Sequence, residues 1–533
     1  MQDSVVAPVQ VATDGGGARH DLGLAVAGLL ALHVVTWTVY GTWALGVGLI
    51  HDDMIEAWNW GQAPQFGYYK HPPLFAWMTW AWFRVFPIAD WSFYLFSAVN
   101  SAVGLAGVGA LARYFGLARY RVAAISLLML TPLYGFLALK YNANAVLIPI
   151  WPWAAYFLLK SLETRTVRDG AILGLLGGLA LLGKYYSVLL AIAFLAATLV
   201  SQQRRAYYRS PAPYVAIGVA LIVIAPHVVW TVANGFPTVE YALSKFNYPL
   251  RQIAYWAFMT ALAPIIFLGL PFVVCAVAGE GFKAALASVR QWLLSPRNRT
   301  LVIVAAAPFA MTLGFGFVGH AKVSLSYTIP IFFMGSLVLL AACSERAMER
   351  TGKWALRLAV AFCLGVMVLA PVIGYGRMRA QQDAAVAPIK ELASEARRIW
   401  MQQTGRPLAV VASTDRFIGA VSFYGTDHPL YFVNFNQRQA PWMTDARLLA
   451  GGFVAICRAD VVQCRTATAA AVPQGSKRIP VNLQHVSFGR TGPKVAYLLT
   501  LVPPGQWKPV PMGPLVERAV GRGHRSRAGQ PTQ

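Results

Sequence analysis

Apolar residues in this chain come in long, nearly unbroken runs separated by short polar breaks: 22–50, 92–112, 122–138, 145–160, 171–182, 186–200, 214–233, 252–277, 300–318, 323–342 and 354–373. A helix crossing the hydrocarbon core of a bilayer needs about 20 apolar residues, so the runs predict about eleven transmembrane helices, with a margin of about two. The margin comes from 171–182 and 186–200, which are short and separated by Gly183-Lys184-Tyr185-Tyr186. They read either as two short tilted helices or as one interrupted span. Between the first two runs, 74–86 carries Trp77, Trp80 and Trp82 and is too short to span. Tryptophan's preference for the headgroup level predicts an amphipathic helix lying in the interface there. Past residue 373 the pattern changes. Short apolar segments at 407–413, 429–434, 452–457 and 495–501 read as buried strands and 384–402 as a helix, which together predict a small α/β domain.

The expected architecture is an α-helical polytopic membrane protein. It has an N-terminal tail at 1–20, a transmembrane domain at 21–373 with its first outer loop at 51–91, an α/β domain at 374–515, and a basic tail at 516–533. Arg, Gly and Ser dominate 521–533, which reads as disordered.

Composition agrees with that outline. A mean hydropathy of +0.51, with 57% hydrophobic and 12% charged residues, lies far outside the range of soluble chains. A formal charge of +24 raises the question of nucleic acid. The basic residues are scattered through short loops with no contiguous face for phosphates to follow, so nucleic acid is excluded and anionic lipid headgroups are expected instead. Five loops carry this charge: Arg113, Arg119 and Arg121; Lys160, Arg165 and Arg168; Arg204, Arg205 and Arg209; Lys283, Arg290, Arg297 and Arg299; Arg346, Arg350 and Lys353. They alternate in register with the remaining loops. The positive-inside rule therefore puts the amino terminus in the cytoplasm and the α/β domain on the outer face. The first apolar run is longer than the 7–15 residues of a signal-peptide core and reads as an uncleaved span. Of five cysteines, Cys275, Cys343 and Cys363 sit in or beside spans as small hydrophobes. Cys457 and Cys464 either pair, in an oxidising compartment, or stay as thiols.

The outer loops hold the unusual polar residues. His51-Asp52-Asp53-Met54-Ile55-Glu56 follows the first run directly, and a helical continuation would bring Asp52, Asp53 and Glu56 to one face. Such carboxylates can act as a general base or bind a divalent cation; solvated acids at a helix end would read the same way. Downstream, Pro72-Pro73 fixes an extended backbone that holds Lys70 and His71 near the membrane surface, which suits phosphate capture as well as it suits a stiff interfacial turn. The other outer loops offer Lys140-Tyr141-Asn142-Ala143-Asn144, Lys184, the segment 234–251, and His320 with Lys322. Lys184 equally fits a lysine reaching to headgroups, and His227, near the end of a span, equally fits a satisfied interior histidine.

In order and spacing, the acidic cluster, Trp58-Asn59-Trp60-Gly61-Gln62, Gly67-Tyr68-Tyr69-Lys70-His71-Pro72-Pro73-Leu74 and Trp77 resemble the first periplasmic loop of bacterial GT-C glycosyltransferases. They resemble in particular the branch of protein O-mannosyltransferase-like (family 39-like), aminoarabinose and galacturonic acid transferases. Leu182-Gly183-Lys184-Tyr185 and Pro226-His227-Val228-Val229-Trp230, followed by Asn234-Gly235-Phe236-Pro237, add to the resemblance, which covers about residues 20–375.

The resemblance implies transfer of a sugar from a polyprenyl-phosphate donor to an acceptor hydroxyl on a cell-envelope lipid, glycan or protein. The reaction would run at the periplasmic face of the bacterial inner membrane, with inversion at the anomeric carbon. The resemblance gives the role of base to Asp53 or Asp52, with Glu56 beside them; Asp53 is favoured because Asp53-Met54-Ile55-Glu56 keeps a family-like acidic pairing. Lys70, His71, Lys184 and Arg251 are the candidates for the donor phosphate, and Tyr69, Asn142, Asn144, His227 and Asn234 for substrate contacts. Two departures stand out. Asn142 and Asn144 occur where many relatives have an acidic residue, so hydrogen bonds to sugar hydroxyls would replace charge. Lys70-His71 occurs where some relatives have Glu-Lys or Ser-Lys, so a metal site built on that glutamate does not carry over. No obligatory metal or other cofactor is expected, although Asp52, Asp53, Glu56 and His71 leave a divalent cation open. A transporter or flippase of a lipid-linked precursor would also need many spans, but polar residues here gather at one membrane face and no paired broken helices mark two halves.

Overall fold

The computed structural model describes residues 16–507. Most of the expected tail at 1–20, the end of the expected 374–515 domain and the whole of 516–533 lie outside the described residues. Helix α1 (Gly16–Tyr40) runs on through a π-helical turn at Gly41–Leu45, α2 (Asp52–Gly61) and α3 (Leu74–Phe83) fill the first loop, and α4 (Asp90–Leu111) re-enters the bundle. Among the described residues, six stretches are long and apolar enough to cross a membrane by length and composition: His20–Leu45, Asp90–Phe115, Ala212–Ala233, Leu250–Ala278, Pro296–Val318 and Glu345–Arg379. The other five expected spans fold as shorter helices, Arg121–Met129, Leu147–Thr164, Val167–Gly183, Val188–Val200 and Gly335–Ala341. One reason is local: the helix from Arg121 stops just before Thr131-Pro132, where proline bars the helical conformation of the residue preceding it. The break at Lys184 makes two helices of the doubtful pair.

Small residues set the closest packing in the bundle. Gly170 and Gly174 recur at a four-residue spacing on one face of Val167–Gly183, and a Cβ on either would stand 2.4 or 2.2 Å from the carbonyl oxygens of Ala212 and Ala216 on Ala212–Ala233. At the end carrying the basic loops, Arg113 pairs with Glu163, Arg119 with Glu345 and Lys160 with Asp169. The tryptophan-rich helix α3 buries Leu74, Phe75, Ala76 and Thr79 and exposes Met78 and Trp80.

The C-terminal part is a mixed five-stranded sheet in the order β2-β1-β3-β7-β4, formed by β1 (Val410–Ser413), β2 (Leu430–Val433), β3 (Phe453–Arg458), β4 (Lys477–Leu483) and β7 (Val495–Val502). A small hairpin of β5 (Val486–Ser487) and β6 (Arg490–Thr491) lies between the last two. Strands β2, β1 and β3 are parallel, and β7 runs antiparallel to both its neighbours. The helix expected at 384–402 is split at Pro388 into a single turn, Asp383–Val386, and Ile389–Thr404, whose Leu392, Ala393, Ala396, Ile399 and Trp400 are buried. A disulfide joins Cys457 at the end of β3 to Cys464 on the following helix, Val462–Ala471.

This domain sits directly on α2. Trp58 Nε1 donates to Ser422 Oγ at 3.1 Å, Asn59 Nδ2 to the Gly419 carbonyl at 3.2 Å, and Ile50 N to the Tyr424 hydroxyl at 3.1 Å. Phe423 packs edge-on against Trp58, with ring centroids 5.5 Å apart. The acidic helix is therefore clamped between the bundle and the sheet domain.

Candidate active site

Helix α2 begins at the acidic cluster. His51 caps it, with Nδ1 accepting from Asp53 N at 3.2 Å, and Asp52 and Asp53 occupy the first turn, where the helix dipole favours carboxylate charge. The three carboxylates then separate. Asp52, 15% exposed, receives Arg416 Nη1 at 2.5 Å from the sheet domain. Asp53, 43% exposed, accepts Asn142 Nδ2 on Oδ2 at 2.9 Å. Glu56, one turn further, takes Lys70 Nζ at 2.5 Å. The expected shared face is thus divided among three partners.

From Asp53 a polar chain crosses to two other loops. Asn142 Oδ1 accepts from the Asn144 and Ala145 amides at 2.8 and 3.0 Å, and Asn144 Oδ1 accepts Lys184 Nζ at 2.6 Å. Lys184 Nζ also lies 3.9 Å from the centre of the Tyr327 ring. Lys184 stands in the break between Val167–Gly183 and Val188–Val200, so the interruption read from the sequence is what turns a lysine into the site. Burial lowers its pKa to about 7, against the pull of Asp53.

The Tyr-Tyr-Lys-His-Pro-Pro segment forms the opposite wall. Tyr68 N donates back to the His71 carbonyl at 3.1 Å, closing a tight loop, and the buried Tyr68 hydroxyl donates to the Trp60 carbonyl at 2.9 Å. Gly67 is required there: a Cβ would fall 2.2 Å from the Trp230 ring. His227 supports the same loop from behind, with Nδ1 2.6 Å from the Phe66 carbonyl and Nε2 2.7 Å from the Tyr185 hydroxyl. Both ring nitrogens are engaged, so His227 is a satisfied interior histidine that holds the loop.

Charge is distributed unevenly over this wall. Burial alone would lower the pKa of Lys70, but Glu56 and Tyr69 outweigh it and raise the value, keeping the ammonium charged. Burial likewise raises Glu56, and Lys70 opposes it. His71 is pushed well below its ordinary value by burial and then by Lys184, Lys70 and Lys245, so it enters as a neutral hydrogen-bonding group rather than the cation its sequence suggested. Lys245, overlooked in the sequence, lies in the connection after Pro237–Leu243, with Nζ 4.4 Å from the Tyr241 ring centre. Its carbonyl accepts Lys322 N at 2.8 Å, and burial, then Lys322 and Lys70, lower its pKa. Three lysines from three loops thus face one neutral imidazole.

Two candidates lie elsewhere. Arg251 is exposed on the first turn of Leu250–Ala261 and makes none of the hydrogen bonds or ion pairs of the cluster. Asn234 donates to the Trp230 carbonyl at 2.7 Å and lines a separate cleft of about 480 Å³ with Trp230, Gln437, Arg438 and Thr444. Tyr69 stays in the cluster, its ring centre 5.1 Å from Lys70 Nζ. Arg416 was also missed, because nothing in the strand-rich segment around it signals an approach to α2.

For a divalent cation, His51, Asp52 and Asp53 offer ligand atoms within 4.8 Å of one another, whereas Glu56 and His71 face lysines. Within that trio Asp52 is already held by Arg416 and Asp53 by Asn142.

Clamped carboxylates packed against a helical bundle, with lysines in the connections beside them, sit in a fold shared with multi-span glycosyltransferases, and the comparisons with known proteins support a glycosyltransferase of the GT-C kind. Residues 70–230 match the family model for dolichyl-phosphate-mannose-protein mannosyltransferases. The lipopolysaccharide core galacturonosyltransferase RgtB of Rhizobium johnstonii is 28% identical over 232 residues, 42% of this chain and 46% of that protein, so the match spans about half of the relative's length. The fold is that of ArnT from Cupriavidus metallidurans: the crystal structure bound to undecaprenyl phosphate aligns with a TM-score of 0.56 at 14% identity, and the apo structure with 0.59 at 15%, each covering 90% of this chain and 98% of the other.

Proposed function

We propose that this protein transfers a sugar from a polyprenyl-phosphate donor to a hydroxyl of a lipopolysaccharide-type envelope acceptor, inverting the anomeric carbon, at the periplasmic face of the inner membrane. The observation that carries the reading is the Asp53-Asn142-Asn144-Lys184 chain, which links a carboxylate to a half-buried ammonium across three loops. The acceptor oxygen attacks the anomeric carbon from the face opposite the phosphate, Asp53 takes its proton, and the carbon–oxygen bond to phosphate breaks with its electron pair leaving on the phosphate. Lys184, Lys70 and Lys245 stabilise that charge as it develops, with His71 as a neutral hydrogen-bonding partner. Asp53 suits the base better than Asp52, since its Oδ1 has no hydrogen-bond or ion-pair partner among the described residues while Asp52 is locked by Arg416.

Polyprenyl phosphate as carrier is supported by the ArnT structure that holds undecaprenyl phosphate, and a lipopolysaccharide acceptor by the name of RgtB. The periplasmic face is supported by the basic loops, which alternate with those of the site. The test is to incubate the purified protein with radiolabelled polyprenyl-phosphate sugars and lipopolysaccharide acceptors. Glycosidic product from the wild type, abolished by Asp53→Asn, is expected; undiminished transfer by both Asp53→Asn and Asp52→Asn would remove the base assignment, and intact donor crossing liposomes with no product would make the protein a transporter.

A further inference from the structure

We infer that Arg416 of the C-terminal domain, together with Lys140, forms an anion subsite on the acceptor side of Asp53 that selects acceptors bearing a carboxylate or phosphate beside the reacting hydroxyl. The inference rests on the transfer reading above and names the acceptor class that reading leaves open.

The cations of the site fall into two groups by the histidine each acts on. Lys70, Lys184 and Lys245 surround His71, where the donor phosphate belongs. Arg416 pairs with Asp52 at the start of α2, next to Asp53, and it and Lys140 both bear electrostatically on His51 there. Lys140 begins the loop whose Asn142 grips Asp53, is exposed, and has no ion pair among the described residues. Arg416 uses Nη1 on Asp52, and its side chain remains 65% exposed, so its other guanidinium N–H groups are open to solvent. Its position is nonetheless fixed, because the segment that carries it is bonded to α2 through Gly419 and Ser422, and to Ile50 just before α2 through Tyr424. An acceptor approaching Asp53 meets two carboxylates at the start of α2. A neutral glycan needs no cations there, whereas an acidic one would be repelled without them. A planar guanidinium with free N–H groups is the side chain suited to grip a carboxylate or phosphate directly.

The alternative is a latch that only holds the two domains together, and Asp52 separates the two cases. Removing Asp52 breaks a latch but frees a binding arginine. Full-length protein in detergent is titrated calorimetrically with lipopolysaccharide core oligosaccharide in three forms: native, carboxyl-reduced and dephosphorylated. The wild type is expected to bind the native form about tenfold more tightly than the form lacking the recognised group, the scale of a charge-assisted hydrogen-bond pair. Which form loses affinity identifies carboxylate or phosphate. Arg416→Gln abolishes that preference, Lys140→Gln reduces it, Arg416→Lys keeps part of it, and Asp52→Asn keeps it in full. Binding of all three forms within twofold by the wild type, absence of binding of the native form, or an equal loss for all three in Arg416→Gln would each overturn the subsite. Discrimination without transfer from any polyprenyl-phosphate donor would leave the subsite standing and remove the enzymatic reading instead.

Discussion

Lys184 gives the most direct link between the geometry and a pH profile. Its half-buried ammonium ends the Asp53-Asn142-Asn144 chain, and desolvation lowers its pKa to about 7. The group is therefore charged below that value and neutral above it. A sugar polyprenyl phosphate is a phosphodiester that keeps its single negative charge throughout this range, so the donor does not titrate and the enzyme does. With a pKa of about 7, the charged fraction falls from about nine-tenths at pH 6 to about one-tenth at pH 8, and since only that fraction is competent, apparent donor affinity falls about tenfold. Lys245, lowered in the same direction, adds to the slope, while Lys70, held charged by Glu56 and Tyr69, does not. Bound phosphate holds Lys184 protonated, so the loss belongs to kcat/KM for the donor and kcat stays flatter. Steady-state kinetics from pH 6 to 8 check this, with Lys184→Arg expected to flatten most of the decline and Lys184→Met to lower kcat/KM at every pH while removing the Lys184 limb. A wild-type kcat/KM that is level or rises toward pH 8, or a Lys184→Met profile of unchanged shape, would refute the role.

Other predictions follow from the same contacts. Asp53→Asn should lower kcat by about 10³, the range of general-base catalysis, while Asp52→Asn should lower it by less than about tenfold; single-turnover rates at pH 6 separate the two. At pH 7 the Asp53→Asn variant should in addition bind donor more weakly, because Asp53 is the charge that raises Lys184. Dialysis against EDTA should leave transfer unchanged, since Arg416 and Asn142 already engage the carboxylates a cation would need, and loss of activity restored by a divalent ion would contradict that. Replacing Cys457 and Cys464 by serine opens a loop with a sequence separation of 7, which should destabilise the C-terminal domain by about 2.5 kcal/mol, read as a lowered unfolding midpoint.

What could be read in the sequence follows the range of the forces involved. Helices in lipid and strands in a core are announced by local apolar runs, so the bundle, α3 and the four most apolar strands are visible without coordinates. Strand β4 is not, because Lys477-Arg478-Ile479-Pro480 carries the charge and proline that an edge strand tolerates and a central one does not. The same holds within the site. Asp53, Lys70 and Lys184 stand out because charge between apolar runs needs a reason, whereas Lys245 and Arg416 sit in segments of ordinary polarity and acquire meaning only from what lies across the fold.

Arg251 and His71 show the converse, since residue type alone suggested cations at the donor phosphate for both. Arg251 lies outside the cluster, and burial, reinforced by the lysines that make the pocket positive, keeps His71 neutral. A pocket gathering several ammonium groups cannot also protonate an imidazole among them, because each added charge penalises the next. The sequence lists candidate groups; their protonation states are a property of the assembled site. It follows that Asn142, where the family resemblance leads one to expect an acid, is chemically consequential. A carboxylate in place of that amide would set two negative charges 2.9 Å apart, whereas the Asn142 amide donates a single hydrogen bond that orients Asp53 Oδ2 without adding charge and leaves Oδ1 for the acceptor.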